Sequence, residues 1–277
     1  RKIDKNFEQW LFRQAIQEGE RLKNLMTKLW SGITWKKNHR VLVLTPSSLL
    51  WSLKPLREVS EGGVVLAVSE DNHSSLLAEL DVLAPMEQPI LIDSKVKSIE
   101  DLEDNLQFEV IGGRIPWKFF SEKSFFEFWP VLTKKCTTNA ELNLIISNPI
   151  SGPAFSLKES LIVNKNDENI DFSILNDLIS KEQKWLNKQD QKNKFSKQME
   201  ELGWNISFEE WNEFVYLKVD ISIINRWINK GSKYREIILK EYKEEKLIGL
   251  KKLFTRLDGK TIKQKILHTK FIAKNTN

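Results

Sequence analysis

The sequence predicts an α/β fold, a mainly parallel sheet covered by helices on both faces, with a late strand lying inside the sheet. Three observations carry this prediction. Short apolar runs alternate with helix-spaced segments over residues 41–146, the rhythm of strands buried on both faces and joined by crossover helices. The stretch from Val41 to Glu70 reads strand, helix, glycine turn, strand, acid. Residues 261–273 read as a strand with apolar residues on both faces, which suits an interior strand better than a lone edge.

The elements follow in order. Leu11, Ala15, Leu22, Leu25 and Leu29 make one apolar stripe, predicting an amphipathic helix over residues 7–30. That helix belongs to an N-terminal segment (1–38) packing on a core that occupies 39–277. Val41 to Leu44 is the first strand, 47–59 a helix, Gly62-Gly63 the turn, and 64–68 the second strand. Asn72 is a candidate N-cap for a helix carrying Leu76, Leu77, Leu80 and Leu83, which Pro85 ends. A third strand (89–92) and a short acidic helix (99–106) follow. The fourth strand (108–111) runs into Gly112-Gly113-Arg114. A helix over 121–135 carries Phe125, Phe128, Trp129 and Leu132 on one side, and 142–146 is the fifth strand.

Residues 172–203 read as helical with a polar interruption at 187–194 and a stop at Gly203. Residues 204–219 read as extended, with a bulge or turn at 209–213. Two or three short helices, broken at Gly231, form an insertion over about 221–257 before the last strand.

Composition narrows the functional classes. With 277 residues and 40% hydrophobic side chains the chain can bury a large core. It has no apolar run of about eighteen residues, so no membrane partner is expected. The first residue is Arg1 and no charged-then-apolar leader follows, so the chain is expected to be a piece of a longer protein. Cys136 is the only cysteine, which excludes an internal disulfide and points to a reducing, cytoplasmic location. His39, His73 and His268 lack the spacing of a shared metal site. Neither a phosphate-binding G-x-x-x-x-G-K-[ST] loop nor a G-x-S-x-G elbow occurs.

Charge is uneven. Residues 181–277 hold 22 Lys and Arg against 13 Asp and Glu, whereas residues 1–180 hold 21 against 25. The basic third could steer DNA or an acidic protein surface. Its lysines are interleaved with glutamates, which equally describes solvated helix faces.

The strand order, with a long helix, a strand, an insertion and a last strand after five βα units, resembles the Rossmann-like class I S-adenosylmethionine-dependent methyltransferases. More narrowly, the chain resembles the methyltransferase-like domain fused behind the ATPase in cyanobacterial replication-associated recombination proteins of the RarA/MgsA type. The residues that carry this are His39-Arg40-Val41-Leu42-Val43-Leu44, Ser48-Leu49-Leu50-Trp51, Glu61-Gly62-Gly63-Val64, Leu253-Phe254-Thr255-Arg256 and Gly259-Lys260-Thr261. The resemblance implies an antiparallel last strand. It also implies an AAA ATPase portion in the same polypeptide, with work in DNA replication, recombination or repair.

The same resemblance locates the candidate site. The loop after the first strand should be glycine-rich where it wraps the cofactor, but here it reads Thr45-Pro46-Ser47-Ser48. Either the hydroxyls of Ser47 and Ser48 hold a ligand, or Thr45 caps a helix with Pro46 at its first position. Glu70, beside Asp71, stands where a carboxylate would hold ribose hydroxyls, or is a solvated cap. Asp93 would face adenine, or belongs to a turn with Ser94. Gly112 opens the segment Ile111 to Trp117, in the place of an Asn/Asp-Pro-Pro-aromatic motif. That segment has a proline and an aromatic but no Asn or Asp, and Arg114 cannot accept hydrogen bonds as a carboxamide does. Asn148-Pro149 supplies Asn-Pro without the aromatic.

The expectation is therefore a methyltransferase-like accessory domain that does not catalyse and needs no cofactor. Two alternatives are an S-adenosylmethionine-dependent methyltransferase and a non-specific nucleic-acid-binding module. Methyl transfer requires an open cavity at the carboxyl ends of the first strands, whereas an interaction module predicts that space filled, with Trp51 or Leu49 as the fillers.

Overall fold

Four parallel strands frame the sheet: β1 (Arg40–Leu44), β2 (Gly63–Val68), β3 (Ile90–Asp93) and β4 (Phe108–Pro116). In this computed structural model, which describes residues 19–81, 83–116, 122–163, 172–187 and 189–277, β1 pairs with both β2 and β4. Val43 thus lies opposite Leu66 on one side and Gly112 on the other. Val41, Leu42 and Val43 are wholly buried, as expected of a central strand with both faces covered. The longer strands β5 (Cys136–Pro149), β6 (Trp204–Lys218) and β7 (Thr261–Asn275) complete the order β3-β2-β1-β4-β5-β7-β6. The sheet is mostly parallel with antiparallel last strands, and β7 is interior, as the apolar residues on both faces of 261–273 predict.

The helices are α1 (19–29), α2 (Leu53–Glu58), α3 (Glu70–Leu80), α4 (Val96–Glu100), α5 (Lys123–Lys134) and α6 (Pro153–Val163). They continue as α7 (Phe172–Leu186), α8 (Gln189–Glu201), α9 (Ile221–Ile228), α10 (Lys233–Ile237) and α11 (Glu244–Phe254). No helix among the described residues is long and apolar enough to cross a membrane.

The chain divides into two units, 1–146 with 195–209 and 269–277, and 147–194 with 210–268. In the first, aromatic rings meet edge to face or tilted: Phe125 and Trp129 at 5.6 Å, Trp129 and Phe195 at 5.2 Å, Phe195 and Phe271 at 5.0 Å. Helix α1 belongs here too, with Leu25, Leu29 and Trp30 buried; residues 7–18 of the helix expected over 7–30 lie outside the described residues. The second unit has its own core of Ala154, Leu157, Leu175, Leu178, Ile224, Ile238, Leu250 and Phe254.

Several boundaries differ from the sequence expectation, each for a physical reason. The helix expected over 47–59 begins with a 3-10 turn (Leu49–Ser52) capped by Ser48, not by Thr45. Ser69, not Asn72, occupies the N-cap position of α3. The fourth strand continues through Gly112 and Gly113 to Pro116, because both glycines pair with β1. The fifth strand extends far beyond 142–146. Its polar Asn143 interrupts the apolar pattern, yet that side chain is buried and donates to the carbonyls of Leu29 and Ser31 at 2.7 and 2.9 Å.

Residues 204–218 are one continuous strand, so of the bulge or turn expected at 209–213 the turn is excluded, while the alternation of burial changes phase between 206 and 211. As the last strand in the order it keeps many side chains in solvent, and alternation is a poor guide where both faces stay partly wet. Helix α6 was not foreseen, although Ala154, Leu157 and Leu161 are buried at helical spacing. Gly231, at φ +85°, separates α9 from α10.

Candidate functional site

The loop between β1 and the first helical turn is satisfied from within. Thr45 adopts φ +46°, a left-handed backbone that glycine accepts freely and a β-branched residue accepts only under strain. The Thr45 hydroxyl donates to the Arg114 carbonyl at 3.0 Å. Ser48 Oγ donates to Glu79 Oε2 at 2.9 Å and accepts from the Leu50 amide. The Leu49 amide donates to the same Glu79 oxygen at 2.7 Å. An internal carboxylate from α3 therefore takes the Leu49 amide and the Ser48 hydroxyl, donors an anionic ligand group would otherwise use. Ser47 Oγ accepts from the Trp51 indole at 3.2 Å. Trp51 and Leu49 are both buried, and the Arg114 guanidinium lies 5.8 Å from the Trp51 ring centroid.

The two acidic positions lie at neighbouring strand ends. Glu70 is exposed in the first turn of α3, directly after β2. Asp93 ends β3, is exposed, and pairs with Lys95 at 3.6 Å. Gly112 lies elsewhere, within β4, with the Trp30 ring packed where a side chain would project. Of the Ile111 to Trp117 segment, Ile111 to Pro116 belong to β4 and Trp117 lies outside the described residues. Asn148 is buried near the end of β5 and donates to the Leu186 carbonyl at 2.6 Å.

A cavity of about 350 Å³ opens at the carboxyl ends of the first four strands. This is where open α/β sheets bind ligands. Leu44 and Thr45 line it from β1, Ser69 from the end of β2, Ser94 and Lys95 from the end of β3, Ile115 from β4, and Phe125, Phe128 and Trp129 from α5. Thr45 is the one predicted position that touches it. Ser69 and Ser94 adjoin Glu70 and Asp93, whereas Ser47, Ser48 and Gly112 do not line it; nor do Leu49 and Trp51, so the space is open and not filled by them as an interaction module predicts.

Two polar centres in the second unit escaped sequence reasoning. His268 is fully buried, with Nδ1 at 2.9 Å from Ser147 Oγ, Nε2 at 2.9 Å from Glu213 Oε2, and Trp211 stacked on the ring. Strands β5, β7 and β6 contribute these residues, so only the sheet order brings them together. Glu182 is also buried. It accepts from the Ala154 and Phe155 amides at the start of α6, at 2.7 and 3.2 Å, and from the Tyr234 hydroxyl at 2.5 Å. Burial pushes its carboxyl above the usual range against those three donors, and burial beside Glu182 raises the Tyr234 phenol well above its ordinary value.

Cys136 is buried, its thiol pushed up to about 12 by desolvation, which makes it a packing residue rather than a nucleophile. Among the described residues no group of three or more His, Cys, Asp or Glu is placed to hold a metal ion.

No family model matches the sequence, and no curated protein matches it either. Solved structures do. A candidate methyltransferase from Bacillus halodurans aligns over 91% of this chain and 99% of its own, with 12% identity and a TM-score of 0.52. The YcgJ protein of Bacillus subtilis aligns over 92% and 98%, with 9% identity and a TM-score of 0.51. At such identities the likeness concerns the backbone path alone, and the fold is the Rossmann-like fold of class I methyltransferases.

Proposed function

We propose that this chain is a methyltransferase-like domain that has given up methyl transfer and serves as an accessory module of an AAA ATPase acting in DNA replication, recombination or repair. The observation that carries the first half is the loop after β1. Glu79 already occupies the Leu49 amide and the Ser48 hydroxyl, so the donors that would receive an anionic ligand group are engaged inside the protein. The ATPase partner rests on the sequence resemblance. In the same proposal the basic C-terminal third contacts DNA phosphates.

The test is calorimetric titration of the domain with S-adenosylmethionine and with its demethylated product. No saturable heat up to millimolar ligand is expected. In the intact polypeptide, removing the domain should alter the rate of DNA-stimulated ATP hydrolysis, and an unchanged rate would remove the accessory role.

Methyl transfer is the second reading, favoured by the cavity at the strand ends and by the exposed carboxylates of Glu70 and Asp93 beside it. Saturable S-adenosylmethionine binding that disappears in Glu70→Ala would establish it over the first.

A further inference from the structure

Two adjoining cavities in the second unit form a groove remote in sequence from the candidate site. One, of about 440 Å³, is lined by Ile150 and Phe155, by Phe214 of β6 and by Lys263 and Lys265 of β7. The other, of about 600 Å³, shares Glu159 and Lys263 with it and adds Lys260. Strand β6, last in the sheet order, leaves two aromatic rings in solvent: Phe214 is 50% and Tyr216 59% exposed. Two residues apart in one strand, they share a face of the sheet, about 6.8 Å from each other along the chain. Lys263 Nζ lies 3.8 Å from the Phe214 ring centroid, so the rings and this lysine belong to one surface. Lys260 donates to Ser160 Oγ at 3.1 Å, and among the described residues no carboxylate pairs with Lys263 or Lys265.

We infer that this surface docks single-stranded nucleic acid, with bases on Phe214 and Tyr216 and phosphates along Lys260, Lys263 and Lys265. Exposed rings stack on unpaired bases, whose faces a duplex hides, and the ammonium groups beside them follow the phosphates. Carboxylates stand nearby without reversing the sign of the groove. Glu182 is buried, with its oxygens held by the Ala154 and Phe155 amides and the Tyr234 hydroxyl. Glu210, earlier in β6, pairs with Lys192 at 3.1 Å. Glu159 is exposed, and the three lysines outnumber it. An apolar protein face would have to bury those ammonium groups unpaired, a cost that phosphates remove. The inference rests on the proposed DNA contact of the basic C-terminal third, and gives that contact a place and a strandedness.

The test is fluorescence anisotropy of the full chain with a labelled oligothymidine of about twelve nucleotides. Binding should saturate near 0.1 M salt with a dissociation constant on the order of 1–100 μM. Phe214→Leu combined with Tyr216→Leu keeps apolar bulk without a ring, and should weaken binding by about tenfold or more. Both positions are at least half exposed, so the melting temperature should hardly move. Tyr216→Leu alone serves if the double variant folds poorly, and Tyr216→Phe should retain affinity because the ring makes the contact. Lys263→Gln combined with Lys265→Gln should reduce the slope of log affinity against log salt by about 1.4, at roughly 0.7 per phosphate contact. Unchanged affinity in the folded leucine variants overturns the inference and leaves a DNA contact elsewhere in the basic third standing. A duplex of the same length that binds more tightly than the single strand overturns it as well. Absence of binding to both forms sinks the DNA reading itself, and the inference with it.

Discussion

Replacing Glu182 by alanine is expected to lower stability by about 3–5 kcal/mol, the range for breaking a buried, hydrogen-bonded charge network. The carboxylate takes three donors at once: the amides of Ala154 and Phe155 at the start of α6 and the hydroxyl of Tyr234. Alanine would leave all three without a partner in a region where Glu182 is 1% and Tyr234 5% exposed. Gly152 shows how closely the parts fit, because a Cβ at that position would run into the Glu182 carboxylate. At about 2–4 °C per kcal/mol for a chain of this size, the melting temperature should fall by roughly ten degrees. A loss below about 1 kcal/mol would mean that water replaces the carboxylate, and the network would not be a structural centre.

The same residue makes a pH prediction. Burial raises the folded-state pKa of Glu182 above its unfolded value, so the folded protein holds this proton more tightly than the unfolded chain does. Its contribution therefore favours folding fully below the unfolded carboxylate range, declines as pH rises from there through the raised folded value, and is flat above it. Glu182→Gln cannot titrate and should remove that decline from the stability profile between those two values. Chemical denaturation at a series of pH values compares the two slopes, and an unchanged slope in Glu182→Gln would assign the pH dependence to other groups.

How much of this was legible in the sequence depends on the range of the interaction. Buried parallel strands advertise themselves by short unbroken apolar runs, so β1 and β2 could be read directly, and the interior position of β7 showed in apolar residues on both of its faces. The loop at Thr45 could be recognised as departing from a glycine-rich pattern, because that comparison needs only neighbours in sequence. Its internal satisfaction could not, since Glu79 lies 31 residues from Ser48 and reaches it only once α3 is folded. The row Ser147, His268 and Glu213 is the extreme case, assembled from three strands across more than a hundred residues of chain. Histidine spacing tests for metal ligands are blind to such a row, because strand order, not sequence interval, sets the distances. The length of β5 was hidden for a different reason: the strand read at 142–146 is extended on both sides by polar residues such as Thr137, Thr138, Asn139 and Ser147. Asn143, inside that strand, satisfies the carbonyls that α1 leaves open at its end.

Gly112 and Trp30 supply the second large effect, and they bear on how the loop after β1 is held. The Trp30 ring occupies the place a side chain at position 112 would take. It is not free to yield: its indole N–H donates to the Trp51 carbonyl at 2.9 Å, Trp35 packs at 5.7 Å, and only 4% of the residue is exposed. Trp30→Ala should therefore cost about 3–5 kcal/mol, as expected for a large aromatic removed from a core. Gly112→Ala in the wild-type background should cost about 1–3 kcal/mol, because a clamped ring is forced aside. In the Trp30→Ala background the sign should reverse. The space is then vacant, and alanine in a strand interior is favoured over glycine by roughly 0.5–1 kcal/mol. Denaturant unfolding of the four proteins closes this cycle. If Gly112→Ala costs the same in both backgrounds, glycine at 112 is required by β1 or by a ligand rather than by Trp30. A reversal would instead mean that α1 holds this part of β4 through Trp30, which also fixes the Trp51 backbone beside the closed loop. Helix, strand and loop would then be one packed unit, and a single substitution in the loop would not by itself free its donors for a ligand.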